Sequence, residues 1–222
     1  SGDYTLDKII NFLSKLNTDL IGLQEVDRFA KRTGFDDQFQ KIKKSLSYNM
    51  ISATSLVLPP EGSKKPKREY GLMCLSKFPI IKSKTHFLRK SKFNGEWFTE
   101  NRICLESILD TGDKKIAFFI VHIDTYEIEK QIKNLISVLK KTRLPKILVG
   151  DFNIPPEDKN IRTIQEETSL KNAIAKKELY THEDDRGKQQ LDHIFVSESI
   201  EVENMEALDV DFSDHKPLFA TL

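Results

Sequence analysis

Seven polar residues stand where apolar runs end, and their types suit one chemistry. "LIGLQEVD" delivers Glu25, "FFIVHID" delivers His122, and "ILVGDFN" delivers Asp151 and Asn153. "QQLDHIFVS" delivers Asp192, and "FSDHKPLFATL" delivers Asp214 and His215. Loops at the ends of rigid strands are where a sheet holds functional groups. Singly, each has an ordinary reading. Glu25 is also what a salt-bridged carboxylate looks like, His122 what a satisfied core histidine looks like, and Asp151 and Asn153 what closes a turn. Asp214, before His215, suits a bend equally well. As a set they differ: four carboxylates, two histidines and an amide, without clustered cysteines, favour Mg²⁺ or Mn²⁺ over zinc. Histidines beside a carboxylate-bound divalent ion are tools of phosphoester hydrolysis.

The elements that must carry these residues are legible in outline. "TLDKIINFLSKLN" (5–17) predicts a helix, with Leu6, Ile9, Ile10, Leu13 and Leu16 on one face. Residues 19–26 predict a strand that is apolar throughout and so covered on both faces, and 36–47 a second helix. Strands are expected at 49–58, 71–76, 80–88, 101–109 and 115–123, with "DTGDKK" turning between the last two. A third helix (126–142) precedes the strand at 145–150 that carries Asp151. A helix at 158–168 and strands at 191–197, 200–208 and 216–222 complete the pattern. The alternation within "GDFN" is expected to put Asp151 and Asn153 on one face of their strand. Many strands with interspersed helices and central hairpins suggest two sheets face to face with helices outside.

Composition narrows the partners. The chain has 222 residues, 38% hydrophobic and 31% charged, with net charge +1. It can bury a core, and no global field forces a polyanionic partner. Cys74 and Cys104, both in apolar runs, read as buried free thiols, which points to a reducing, cytoplasmic setting. No apolar run reaches the ~18–20 residues that span a membrane. A monomer is expected.

The ordered stretches "LIGLQEVD", "YGLMCLSKFPI", "VHID", "VGDFNIPP", "LDHIFVS" and "SDHKPLFATL" together resemble the endonuclease/exonuclease/phosphatase superfamily, the deoxyribonuclease-I-like fold. "LSKFPI" and "THEDDRGKQQLDHIFVS" are similar to its connecting segments, so the likeness runs from about residue 5 to the C-terminus. The resemblance implies an α/β fold, a four-layer α/β/β/α sandwich of two mostly antiparallel mixed sheets packed face to face with helices outside. It implies that Glu25 is the main metal ligand and that Asp214 supports the metal region. Asp151 would position or deprotonate the attacking water, and Asn153 would hold that water or the phosphate. His215 would contact the scissile phosphate with Asp192 orienting it, and His122 would be a second phosphate-facing group. Arg102, in "NRICLE", resembles a basic residue near the same site in some branches, and a surface arginine reads the same way. The family usually opens with a strand carrying an Asn; here the first helix begins near residue 5, so residues 1–222 are expected to form a single domain lacking that strand.

The substrate divides the readings. The leading expectation is a Mg²⁺- or Mn²⁺-dependent phosphodiesterase or nuclease; the alternative is a phosphatase or phospholipase-type enzyme. A catalytically inactive binding scaffold is the third. Lys64, Lys65, Lys67 and Arg68, in "PPEGSKKPKRE", could grip a nucleic-acid backbone or an anionic headgroup, or form a solvated loop. Phe93, Trp97 and Phe98 among Lys90 and Lys92 could stack bases or enter a membrane surface, or simply pack their loop onto the sandwich.

Overall fold

Four layers stack in the computed structural model, which describes residues 5–63, 65–92, 99–173, 179–185 and 187–222. The chain runs α1 (Leu6–Leu16), β1 (Leu20–Arg28), a 3-10 turn (Lys31–Thr33), α2 (Gln38–Ser45), β2 (Asn49–Leu58) and β3 (Arg68–Ser76). Next come β4 (Ile80–Lys92), β5 (Thr99–Asp110), β6 (Lys115–His122), α3 (Ile128–Leu139), β7 (Lys146–Asp151) and α4 (Lys159–Thr168). Short strands close it: β8 (Leu170–Asn172), β9 (His182–Asp184), β10 (Gly187–Gln189), β11 (Asp192–Ser197), β12 (Asn204–Ala207) and β13 (Leu218–Thr221).

One sheet has six strands in the order β4-β5-β6-β7-β11-β8. It is antiparallel except between β6 and β7, which run parallel because α3 carries the chain back across the face. The facing sheet has β3 between β1 and β2, and β12 and β13 form a separate ribbon. The sandwich expected from the sequence is thus the observed fold.

The run "KIAFFIVH" explains the stacking. Phe119 and Val121 pack with Ile132, Leu135 and Leu139 of α3, while Ile116, Phe118 and Ile120 pack with Leu72 and Cys74 of β3. Period two thus serves two cores from one strand. A third cluster joins Leu6 and Leu13 of α1 and Phe39 and Ile42 of α2 to Met73 and Leu75. Removing side chains such as Phe119 and Leu148 from water stabilises the sandwich by roughly 1.5–3 kcal/mol each.

Helix ends follow local chemistry. Asp37 and Asp158 cap α2 and α4 by accepting from Gln40 N–H and Asn160 N–H, and Asn17 ends α1 in the left-handed region. β1 is covered on both faces, as expected, although it is an edge strand: Leu20 and Gly22 lie against the inter-sheet core, and Ile21 and Leu23 pack with the α1–α2 cluster. Two expectations need correction. β4 runs four residues past the expected 88, to Lys92, because β5 pairs with it that far. The strand expected at 200–208 shrinks to Asn204–Ala207, the stretch paired with β13. Cys74 and Cys104 are buried free thiols. Among the described residues no helix is long and apolar enough to cross a membrane.

Candidate active site

Asp151 ends β7, and register gives it a neighbour on each side. His122 faces it on parallel β6, and Asp192 faces it on antiparallel β11. His122 Nε2 lies 3.5 Å from Asp151 Oδ2. His215, just before β13, brings Nε2 to 4.0 Å from the same oxygen. It also donates Nδ1–H to Asp192 Oδ2 at 2.8 Å. From the facing sheet, Glu25 places Oε1 4.0 Å from His122 Nε2. Asp214 stands apart: it is exposed, takes a hydrogen bond from Ser213 Oγ, and reaches the cluster only through its charge on His215.

Glu25 and Asn153 both hold left-handed backbone, with φ of +57° and +54°. Such conformations cost about 1–3 kcal/mol at non-glycine residues and persist where surrounding structure enforces them. At Glu25 the enforcement is a bulge, where the β1–β3 register shifts between Leu23 and Val26. Its carboxylate is 58% exposed and faces the cluster. At Asn153 the reason differs from strand alternation. β7 stops at Asp151, and an Asx turn follows in which Asn153 N–H donates to Asp151 Oδ1 at 2.7 Å. Asn153 Nδ2 then donates to Asp151 Oδ2 at 3.2 Å and to the Ile123 carbonyl at 2.9 Å. The turn, not the pleat, brings the amide back.

Burial and charge set the protonation states. Burial, reinforced by Asp192, holds the Asp151 carboxyl well above the usual carboxylate range. His122 is pushed down to about 3 by burial and by the charges of Arg102 and His215, so it is neutral. His215 is raised to about 9: burial opposes its charge, but the Asp192 hydrogen bond and the charges of Asp192, Asp151 and Asp214 outweigh it. An imidazolium, a neutral imidazole and a proton-accepting carboxylate therefore share one cluster.

Arg102 is not a surface residue. Its side chain is 11% exposed, and Nη2 is held by Asp124 Oδ2 at 3.1 Å and Glu100 Oε2 at 3.3 Å. Among the described residues, its buried Nε and Nη1 have no hydrogen-bond partner. Buried donors are almost always satisfied, so these two are suited to an anion. The basic loop behaves otherwise. Arg68 pairs with Glu61 at 2.8 Å, Lys65 lies 4.3 Å from the Phe35 ring centroid, and Lys67 is exposed. Lys64, Phe93, Trp97 and Phe98 lie outside the described residues.

Three further residues shape the centre. His193 is buried, donating Nε2–H to the Ile154 carbonyl at 2.9 Å and accepting from Asn172 Nδ2 at 3.1 Å, which pins the chain after Asn153. The Tyr70 phenol, desolvated and beside the Glu25 carboxylate, is pushed far up and stays a donor. His182 bridges to His215 through the backbone and lies tilted against its ring, centroids 4.6 Å apart, while its Nδ1–H donates to the Asp214 carbonyl at 3.1 Å.

The model of the endonuclease/exonuclease/phosphatase family matches residues 1–215. The chain belongs to that family. Its members generally hydrolyse phosphoesters and are typically metal-dependent. No curated protein matches the chain. Among solved structures, the family member from Bacteroides vulgatus is 21% identical, with TM-score 0.76 over 98% of this chain and 89% of that one. The Bacteroides thetaiotaomicron mannosyl-6-phosphatase is 19% identical, with TM-score 0.69 and 98% and 90% covered. Sphingomyelinase C from Streptomyces griseocarneus is 14% identical, with TM-score 0.69 and 98% and 92% covered. At these identities they share the fold.

For this family member the donor set fits a hard cation. Asp151 and Asp192 each offer a carboxylate oxygen within 4.8 Å of one another, and Glu25 adds an exposed carboxylate beside them; His215, the third member of that group, holds its proton and would not ligate in that state. Without metal, the His215 proton has a stability signature. The ring keeps its proton up to about pH 9, whereas a free histidine loses it near 6.5. The stabilisation is therefore complete below pH 6.5 and lost as pH rises through 9. Asp151, also raised, acts in the same direction at lower pH. In chelator, the melting temperature is expected to fall between about pH 6.5 and 9, and Asp192→Asn to flatten that fall; melts across the series check it.

Proposed function

We propose that the chain is a Mg²⁺- or Mn²⁺-dependent hydrolase that cleaves a phosphoester by direct attack of water. The observation that carries this is the convergence of Glu25, His122 and His215 on the ends of β7 and β11, around a buried Asp151. Glu25 would be the principal metal ligand, with Asp214 adding charge from outside and the bound ion neutralising phosphate oxygens. Asp151 takes the proton of the attacking water, and its two bonds from Asn153 fix the carboxylate that does so. Neutral His122 donates to one phosphate oxygen. Arg102, whose charge acts on His122, would add positive charge near the same phosphate. His215, charged and oriented by Asp192, stabilises the developing charge and protonates the leaving oxygen.

This centre serves a nuclease or other phosphodiesterase and equally a phosphatase or phospholipase-type enzyme. The similar structures carry names of both kinds, a mannosyl-6-phosphatase and a sphingomyelinase. A panel of bis-(p-nitrophenyl) phosphate, p-nitrophenyl phosphate and single- and double-stranded DNA, each with Mg²⁺, Mn²⁺ or chelator, tests the reading. Metal-dependent turnover of at least one ester is expected. Turnover indifferent to chelator, or none on any ester, overturns it, and cleavage of monoesters alone removes the nuclease branch.

A further inference from the structure

A cleft of about 380 Å³ opens beside Glu25 and shares Tyr70 and Glu100 with a small cavity that reaches His122. Its size is that of a small-molecule site, roughly 300–1,000 Å³. Arg32 forms one wall, forked onto Asp27 through Nε at 2.6 Å and Nη2 at 3.1 Å, with its Cζ 5.7 Å from the Tyr70 ring centroid. Arg68 and Glu61 form another, tied to each other and to the Pro59 carbonyl and Lys31 N–H. Leu56 and Leu58 supply an apolar side. Polar groups of both signs are thus fixed by mutual pairing around an apolar and aromatic surface.

Among the described residues that line the cleft, five carboxylates stand against two guanidinium groups. A nucleic-acid strand carries a negative charge every ~3.4 Å and would set its next phosphates among those carboxylates. Neutral hydroxyl groups meet the opposite situation, since carboxylates accept from them and arginine donates to them. A carbon-ring face rests on leucine and tyrosine.

We propose that this cleft seats the alcohol half of the substrate, and that the alcohol is a neutral, polyhydroxylated one, a sugar or polyol. The proposal rests on the reading that the reacting phosphate sits beside Glu25. Arg32, Glu61 and Leu58 are then specificity residues: they touch the leaving alcohol and take no part in the proton transfers.

Binding tests this without any need for turnover. With Mg²⁺ present, calorimetry on the full chain compares a non-hydrolysable hexose 6-phosphonate, methylphosphonate and a phosphorothioate-linked trinucleotide. The hexose ligand is expected to bind at least tenfold more tightly than either other ligand. Arg32→Ala and Leu58→Trp, the second placed at the strand end so that the fold tolerates it, are each expected to bring hexose 6-phosphonate and methylphosphonate within threefold of each other. Equal affinities in the wild type, tightest binding by the trinucleotide, or a preference that survives both substitutions overturns the proposal. Failure of the ester panel alone would instead strike the hydrolase reading, because calorimetry reads occupancy and not chemistry.

Discussion

Asp151→Asn is expected to lower kcat on any ester the protein cleaves by ~10²–10⁴-fold, the range that a positioned general base supplies. The substitution removes the proton acceptor and, with its amide nitrogen, the longer of the two bonds from Asn153, that from Nδ2 at 3.2 Å. An asparagine oxygen can still accept from Asn153 N–H, whose present bond is 2.7 Å, and the volume is unchanged. The substitution relieves the burial of charge and the repulsion from Asp192 while losing the attraction to His215, so stability is expected to change little. His215→Ala is expected to cost turnover on the same scale, because it removes the charged ring that Asp192 orients. Steady-state kinetics beside a thermal melt checks both. A loss of only a few-fold with an intact fold would move the base role to another group.

Gly150→Ala is expected to destabilise the protein by about 2–5 kcal/mol, the sum of overpacking and a positive-φ backbone that only glycine adopts readily. Gly150 has φ +154°, and a Cβ there would sit 2.1 Å from the Val121 carbonyl oxygen. That oxygen belongs to the backbone of β6, paired in register with Gly150, so no rotamer change relieves the clash. The strands must part where they present His122 and Asp151. A drop in melting temperature of about 5 °C or more is expected for a chain of this length, with activity lost at temperatures where the wild type is fully folded. An unshifted melt would mean that the two strand ends are not packed as described.

How much of this the sequence discloses depends on the range of the interaction. β6 is legible because "KIAFFIVH" must be buried on both faces, and the turn before it because "DTGDKK" is rich in turn formers. β8, β9 and β10 have three residues each and no periodic signal, since distant pairing alone makes them strands. β1 reads correctly as covered on both faces, but its place at a sheet edge is a matter of long-range pairing that an apolar run does not disclose. In the site, the residue types are readable at strand ends, but not that β6, β7 and β11 are neighbours, which the α3 crossover and long-range register decide. His182 lies in the polar stretch "THEDD", and only a bridge across 33 residues makes it a neighbour of His215. His193 hides in a strand where a buried histidine shows itself only through partners at Ile154 and Asn172. Arg102 looks like any strand arginine until its burial leaves two donors without partners.

If carboxylates and imidazoles from two sheets assemble one divalent-cation centre, a melting curve with added metal reads it. A ligand that binds only the native state at a hundred times its dissociation constant stabilises it by about 2.7 kcal/mol, or roughly 5–10 °C here. Millimolar Mg²⁺ or Mn²⁺ is therefore expected to raise the wild-type melting temperature by several degrees, and Glu25→Ala to abolish the rise. Identical wild-type melts with metal and with chelator would mean that no such centre forms.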